Sequence, residues 1–326
     1  MILEEQNSPL VLKDVPKPQI KADQLLIKVK ACAICRTDLH IIEGDLKNPK
    51  LPLILGHQIV GVIEEMDEKV SGFKIGDRIG VPWLGNTCHH CEYCLEDKEN
   101  LCDSAKFTGY DIDGGLAEYT TCDYQFAYKL PKEFEDEKVA PLLCAGLIGY
   151  RSYKKTEAKK TIGMYGFGVA AHILTQLAVY QKKEVYAFTR EGDKKGQEFA
   201  KILGAVWAGD TDTIFEEKLD AAIIFAPVGD LVPKALKSLK KGGKIICAGI
   251  HMSDIPSFPY KDLWGERVIE SVANLTREDG EEFLELAKKA NIETKINLYP
   301  LEKTNKAIED FRSGKLEGAA VIKIGN

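Results

Sequence analysis

The stretch TIGMYGFGVAAHILTQLAVYQ, residues 161–181, is the clearest indication of the fold, because it predicts a strand, a turn and a helix in succession. Its first six residues read as a short buried strand. The apolar residues Ile173, Leu177 and Tyr180 then recur at helical spacing. Between strand and helix lies the turn Gly166-Phe167-Gly168-Val169, which continues to Ala171 as G-x-G-x-x-A. Glycines at such a turn let the backbone approach a pyrophosphate at the helix N-terminus, so these four residues are predicted to bind a dinucleotide.

The same alternation of strand and helix continues downstream. Strands are predicted at EVYAFT, DAAIIFAP, GKIICAGI and RVIESVA, and helices at DKKGQEFAKILG and DLVPKALKSLK. Repeated strand–helix units of this kind favour a doubly wound parallel sheet, which is the Rossmann arrangement. The chain is therefore predicted to be an α/β protein with a dinucleotide-binding domain at residues 146–273.

The end of the second strand of this domain selects the cofactor. An NAD site carries an acidic side chain there for the ribose hydroxyls. Here the residues are Thr189 and Arg190, and a guanidinium suits a 2′-phosphate, so NADP is favoured. The alternative is NAD, with Arg190 in solvent and Glu191 as the acid. Ala248 and Ile250, at the end of a later strand, are predicted further cofactor contacts.

A compact cysteine motif lies in the N-terminal half. CHHCEYCLEDKENLC, residues 88–102, places Cys88, Cys91, Cys94 and Cys102 at C-x2-C-x2-C-x7-C spacing. Two-residue gaps let a tight loop wrap three sulfurs around an ion, and four thiolates close a tetrahedron. The spacing predicts a structural zinc in a lobe at residues 86–104, with two disulfides or free thiols as the alternative.

Three further metal-ligating residues are spread along the chain. ACAICRTDLH contains Cys35, LPLILGHQIVG contains His57, and APLLCAGLIGY contains Cys144. Taken singly, each is more often a core or turn residue than a ligand.

Together with the cysteine lobe and the nucleotide-binding turn, these motifs resemble the zinc-dependent medium-chain alcohol dehydrogenases along nearly the whole chain. The resemblance implies a catalytic zinc on Cys35, His57 and Cys144, and therefore two zinc ions per chain. It also implies that Thr37 takes the substrate proton, that His40 ends the proton relay, and that Asp38 orients the ligand histidine. Capping of the helix that follows is the alternative reading for Thr37 and Asp38.

The resemblance also implies the domain plan and the assembly. Residues 1–145 and 274–326 are expected to form a β-rich, barrel-like catalytic domain. Family members are dimers or tetramers, so a homo-oligomer is expected.

Some positions bear on the substrate. The family commonly has glutamate after the ligand histidine, and this chain has Gln58, which cannot supply a negative charge. Trp83 is predicted to line the substrate pocket, with core packing as the alternative. Leu46 occupies a stretch where small-alcohol enzymes often carry an aromatic residue, so a roomier pocket is expected there.

Composition limits the other classes of function. The formal charge is −6, and no dense basic patch suggests nucleic-acid binding. The N-terminus MILEEQNSPL lacks the features of a signal peptide, and no apolar stretch is long enough to span a bilayer. Clustered cysteines then favour metal sites in a reducing, cytoplasmic setting.

The function predicted is reversible hydride transfer between a primary alcohol or its aldehyde and NADP. Alternatives are a polyol dehydrogenase, in which glutamate usually replaces the third zinc-ligating cysteine, and a zinc-free quinone or enone reductase. A non-catalytic nucleotide-binding protein of the same fold is a further alternative.

Overall fold

The structure is a computed structural model that describes residues 1–213 and 217–325. One unit comprises Met1–Leu147, Asn274–Lys288 and the described chain from Glu293 onward; the other comprises Ile148–Ala273 and Lys289–Ile292. The domain boundaries predicted from the sequence differ from these units at 146–147 and 289–292, and they stay a prediction. Residues 214–216 and 326, which the predicted domains include, lie outside the described residues.

The first unit begins with several short strands and two longer ones. Its strands are β1 (Ile2–Leu3), β2 (Gln24–Ala33), β3 (Leu53–Ile54), β4 (Ile59–Met66), β5 (Arg78–Val81), β6 (Leu84–Asn86), β7 (Lys106–Phe107), β8 (Tyr119–Asp123) and β9 (Tyr128–Lys129). Its helices are α1 (Arg36–Ile42), α2 (Glu92–Leu95) and α3 (Asp136–Val139), with 3-10 turns at Glu99–Leu101, Tyr124–Phe126 and Ala140–Leu143.

The second unit contains the parallel sheet. Helix α4 (Ala145–Thr156) leads to β10 (Thr161–Tyr165), α5 (Val169–Tyr180), β11 (Glu184–Thr189), α6 (Lys194–Ile202), β12 (Trp207–Asp210), β13 (Leu219–Ile224), α7 (Leu231–Ser238), β14 (Leu239–Cys247), α8 (Tyr260–Leu263) and β15 (Val268–Ser271). The strand order is β12-β11-β10-β13-β14-β15, and every pairing is parallel.

The last part of the chain returns to the first unit. It forms α9 (Arg277–Lys289), β16 (Ile296–Pro300), a 3-10 turn (Leu301–Lys303), α10 (Thr304–Arg312) and β17 (Ala319–Lys323). Strand β17 pairs antiparallel with β2, and β16 pairs parallel with β17. The larger sheet of this unit has the order β16-β17-β2-β4-β5-β9, with β8 also paired to β2. The predicted α/β class, with a parallel-sheet domain and a separate β-rich domain, is confirmed.

Strand β2 is the centre of the larger sheet. Leu25, Ile27 and Val29 are buried in the core of this unit, and Lys28 between the last two is exposed; Leu26 is buried as well, so both faces of the strand are partly covered. The amide of Ile34 donates to Ala320 of β17 at 2.8 Å. The chain that leaves β2 is thereby held in register immediately before the first candidate metal ligand.

The prediction for the second unit misses a strand and misplaces the end of a helix. Strand β12 is absent from the prediction, because Trp207–Asp210 is only four residues long and lacks a clear apolar alternation. The predicted helix at 230–240 ends at Ser238, since Leu239 is fully buried and pairs with Leu219 as the first residue of β14.

Asp220, in β13, anchors the start of β10. Its carboxylate accepts the amides of Lys160 and Thr161 at 2.6 and 2.9 Å and the ammonium of Lys240 at 2.6 Å. Partial burial raises the pKa of Asp220, but Lys240 and the two amides outweigh it and lower the pKa to about 2. The ionised carboxylate therefore stabilises the folded state.

We expect Asp220→Asn to lower the free energy of unfolding by about 1–2 kcal/mol at neutral pH, allowing for solvent screening. The pKa is lower in the folded than in the unfolded chain, so the stabilisation is present above the unfolded value near 4. It is lost as the pH falls toward 2, and wild type and variant should converge there. Urea unfolding at several pH values measures this, with Asp212→Asn, an exposed acid paired with Lys234, as the control expected to change little.

Candidate active site

Cys35 is the N-cap of α1 and lies two residues after the end of β2. The amide of Cys35 donates to the Asp38 carboxylate at 2.7 Å, an N-terminal capping contact. Asp38 is fully buried and Thr37 is 7% exposed, so the start of the helix faces the interior. The capping role for Asp38 is therefore present in the structure, and it fixes the position of Cys35.

His57 follows β3 at a turn that only glycine fits. Gly56 has φ of +96°, and a Cβ there would lie 2.6 Å from Cys32 Sγ. The imidazole of His57 is fully buried, and neither ring nitrogen has a hydrogen-bond partner among the described residues. Asp38 Oδ1 approaches Nδ1 at 3.4 Å. A buried imidazole with so little hydrogen bonding fits a ligand whose partner is an ion.

Cys144 completes a three-residue cluster. It lies between the 3-10 turn Ala140–Leu143 and α4. The ligand atoms of Cys35, His57 and Cys144 all lie within 4.8 Å of one another, and the two sulfurs are 3.7 Å apart. Thr37 Oγ1 is 3.8 Å from Cys35 Sγ. The structure thus brings together three side chains that are far apart in sequence.

The electrostatics of this cluster favour a cation. Burial lowers the pKa of His57, but Asp38 and Cys35 outweigh it and raise the pKa to about 10. A hydrogen bond from the Cys144 thiol holds the pKa of Cys35 well below its usual value, although burial opposes this. Two thiols and an imidazole beside a buried carboxylate match the soft and borderline donors that zinc prefers.

Gln58 follows His57 directly in the chain and is buried. It is 3% exposed, and its Nε2 donates to the carbonyl oxygen of Ala33 at 3.2 Å. The side chain is thereby tied to the end of β2. Its neutral amide brings no charge into the buried site.

Trp83 packs directly on His57. Its ring meets the His57 ring edge-on with centroids 4.9 Å apart, and it stacks on Phe107 at 5.0 Å. The sequence does not predict Phe107 as part of the site, because it lies 24 residues from Trp83. The pairing of β6 with β7 brings the two residues together. Leu46 is half-buried and packs against the core of this unit.

His40 lies on α1, three residues after Thr37. Its Nδ1 is 2.8 Å from Asp45 Oδ2. Residues three apart on a helix lie side by side, so His40 and Thr37 belong to the same part of the helix surface.

The four predicted lobe cysteines form a second cluster. Their sulfurs lie within 4.8 Å of one another, and none of the nine cysteines forms a disulfide in the structure. Cys91 donates its amide to Cys88 Sγ at 3.3 Å, and Cys88 donates its amide to Cys102 Sγ at 3.4 Å. A hydrogen bond from the His90 amide, opposed by partial desolvation and aided by Cys91, lowers the pKa of Cys88 to about 6. Amides aimed at clustered sulfurs fit thiolates around a metal ion.

The lobe is fastened to the return segment of the same unit. Glu99 is 3% exposed and accepts the amide of Arg277 at 2.8 Å and its Nε at 3.2 Å. The Arg277 guanidinium also lies over the Phe126 ring and donates to Gln125. These long-range contacts have no local sequence signal.

The predicted nucleotide-binding turn follows β10. Gly166 has φ of +87°, and a Cβ there would lie 2.9 Å from the Ala226 amide. Gly168 is the N-cap of α5, and a Cβ there would meet nothing within 4 Å among the described residues. Phe167 and Val169 flank it and are half-buried. An open backbone at a helix N-terminus is a suitable place for a pyrophosphate.

The turn after β11, which is predicted to select the cofactor, is held by a network of hydrogen bonds. Thr189 is 1% exposed, and its hydroxyl accepts from Gln197 Nε2 at 3.0 Å, whereas Arg190 is exposed. Asp210, at the end of β12, accepts from Gln197 at 2.6 Å and from the Gly192 amide at 3.2 Å. Asp210 could not be found from the sequence without β12.

The other two predicted cofactor contacts follow β14. Ala248 donates its amide to Ile224 at 2.9 Å, and Ile250 is 42% exposed. None of the described helices is long and apolar enough to cross a membrane.

Comparison with known proteins shows which family the chain resembles. Residues 21–132 match a family model described as the alcohol dehydrogenase GroES-like domain. The chain is 44% identical over 318 residues to a probable alcohol dehydrogenase, AdhA, of Mycobacterium tuberculosis, covering 95% of this chain and 91% of that one. It is 37% identical over 336 residues to an alcohol dehydrogenase of Geobacillus stearothermophilus, covering 99% and 98%.

The fold is also similar to a solved structure with a cofactor. The crystal structure of CAD from Helicobacter pylori complexed with NADP(H) aligns with a TM-score of 0.83 and 28% identity. The alignment covers 92% of this chain and 90% of that one.

Proposed function

Since the chain belongs to the zinc-type medium-chain alcohol dehydrogenases and is an oxidoreductase, we propose that it interconverts a primary alcohol and its aldehyde with NADP. One catalytic and one structural zinc per chain are part of this proposal. The observation that carries it is the gathering of Cys35, His57 and Cys144 within 4.8 Å. Three protein ligands leave a fourth position for substrate oxygen, whereas the four sulfurs of the lobe leave none.

Cys35, His57 and Cys144 would hold a zinc ion, which would supply Lewis-acid chemistry that lowers the pKa of an alcohol. Asp38 holds His57 in place and stabilises the positive charge of the site. Thr37, 3.8 Å from Cys35 Sγ, accepts the substrate proton through its hydroxyl and donates its own proton onward toward His40. The stacked rings of Trp83 and Phe107 cover one side of His57 and exclude water from it.

The turn at 166–169 would hold NADP, which would supply the hydride chemistry. Gly166 and Gly168 leave room for its pyrophosphate at the N-terminus of α5. Exposed Arg190 provides a guanidinium for the 2′-phosphate, and a solved relative of the same fold is complexed with NADP(H). Thr189, whose hydroxyl is committed to Gln197, contributes through its backbone position rather than its side chain.

We expect Arg190→Ala to raise the KM for NADPH roughly 10- to 100-fold while leaving the KM for NADH nearly unchanged. The reason is that only NADPH carries the phosphate that the guanidinium would bind. Steady-state rates of aldehyde reduction with each cofactor measure the effect, and Lys201→Ala, an exposed cation on α6, is the matched control. A wild type that prefers NADH would overturn the role of Arg190 and leave the dehydrogenase intact.

A panel of substrates separates the proposed function from its alternatives. Turnover of aliphatic or aromatic aldehydes and primary alcohols supports it. Exclusive turnover of polyols would favour a polyol dehydrogenase, although Cys144 stands where those enzymes usually have glutamate. Exclusive turnover of quinones or enones without zinc would favour a reductase, and binding of cofactor with no turnover would favour a non-catalytic role.

The setting of the protein is part of the same proposal. Nine cysteines without a disulfide suit a reducing compartment such as the cytoplasm. A homo-oligomer, dimer or tetramer, is proposed from the family resemblance alone.

A further inference from the structure

His40 has a carboxylate partner that the sequence motif does not reveal. Asp45 Oδ2 lies 2.8 Å from His40 Nδ1. The His40 side chain is 13% exposed, and that of Asp45 is 51% exposed. The pair therefore joins a mostly covered imidazole to a carboxylate that stays in contact with water.

The turn that carries Asp45 is held in a defined position. Gly44 has φ of +80°, which lets the chain reverse directly after α1. The amide of Leu46 donates back to the His40 carbonyl at 3.1 Å. Gln6 Nε2 donates to the carbonyls of Ile41 and Leu46 at 2.7 and 2.8 Å, bridging both sides of the turn. The approach of Asp45 to His40 is thus built into the backbone rather than left to a flexible side chain.

The chemistry of this contact determines which ring nitrogen carries the proton. An ionised carboxylate only accepts hydrogen bonds, so the nitrogen facing it must be protonated. With Nδ1–H directed at Asp45, the neutral ring has its lone pair on Nε2.

We propose that Asp45 is a positioning residue that holds His40 in the Nδ1–H tautomer, so that Nε2 can receive the proton released during alcohol oxidation. This inference rests on the proposed function, in which the proton leaves the substrate through Thr37. Nε2 gains that proton, and the ring becomes an imidazolium paired with Asp45. Because Nε2 is buried and Asp45 is in contact with water, the Nδ1 proton passes to the Asp45 carboxylate and from there to solvent. The ring then returns to the Nδ1–H tautomer that Asp45 favours. No other bond forms or breaks in this step, and the reverse path supplies a proton for aldehyde reduction.

Nitrogen-15 NMR of histidine-labelled, zinc-loaded protein tests the tautomer directly, at a pH where His40 is neutral. The His40 signals are assigned by their loss in His40→Gln. We expect a protonated Nδ1 and an unprotonated Nε2 in the wild type, a shift toward the Nε2–H form in Asp45→Ala, and recovery in Asp45→Glu. The inference would be overturned if the wild type had His40 in the Nε2–H form. It would also be overturned if the Asp45→Ala and wild-type spectra were identical.

The rate of alcohol oxidation tests the consequence. We expect kcat to fall about tenfold in Asp45→Ala, by analogy with other carboxylates that orient a histidine, and to recover in Asp45→Glu. Glu43→Ala removes the same charge two residues away, where Glu43 pairs with Arg312, and is expected to keep its rate. A switched tautomer with an unchanged rate would overturn the role in proton transfer. An inactive wild type with the expected tautomer would instead contradict the proposed function and leave the His40–Asp45 geometry standing.

Discussion

Replacing Cys144 by alanine is expected to remove one of two zinc ions per chain and to lower kcat/KM for aldehyde reduction by roughly a thousandfold or more. Cys144 Sγ lies 3.7 Å from Cys35 Sγ, so its loss takes away one of only three protein ligands. Two ligands bind zinc too weakly to hold it, and the substrate oxygen then loses its stabilising charge. Metal content per chain and steady-state kinetics on the same sample measure both effects.

Cys122→Ala is the matched control for this experiment. Cys122 is a buried thiol on β8 in the same unit and belongs to neither metal cluster among the described residues. We expect it to keep both zinc ions and most of the activity. A Cys144→Ala protein that retained two zinc ions and full turnover would refute the assignment of the catalytic site.

Replacing Cys94 by alanine is expected to remove the other zinc ion and to lower the unfolding temperature by about 10–20 °C. Cys94 Sγ lies 3.9 Å from Cys88 Sγ in the lobe, whose sulfurs have no other cation to hold them together in the proposed site. Without the ion, neighbouring thiolates repel each other and the loop at 88–102 loses its shape. Differential scanning calorimetry with metal analysis measures the change.

His89→Asn is the control for the lobe, because it tests the nearby histidine as a competing ligand. His89 is exposed and has φ of +61°, a conformation that asparagine tolerates well. We expect it to keep both zinc ions and an unfolding temperature close to that of the wild type. Loss of the lobe zinc from His89→Asn, with retention in Cys94→Ala, would contradict a four-cysteine site.

The features that could be predicted from sequence are those with a local pattern. The glycine spacing at Gly166–Val169, between a strand and a helix, predicts a nucleotide-binding turn. The four lobe cysteines are likewise encoded within fifteen residues. Cys35, His57 and Cys144 are individually weak signals that only the family resemblance connects in sequence, and the structure places their ligand atoms within 4.8 Å of one another.

The features that could not be predicted depend on long-range pairing. Strand β12 is too short to show an apolar period, so the sequence does not reveal Asp210 or its hydrogen bond with the Gly192 amide. Phe107 reaches Trp83 only through a strand pairing. The contact of Asp45 with His40 depends on a glycine turn that Gln6, far away in sequence, fixes in place.

The most direct test of the account is the initial rate of aldehyde reduction by NADPH during zinc reconstitution. Metal-free protein is prepared with a chelator and titrated with zinc, and rate and bound zinc are measured at each point. The account predicts no turnover without metal and a maximum at two zinc ions per chain. Full turnover in the metal-free protein, or none at two bound zinc ions across aliphatic and aromatic aldehydes, would contradict it.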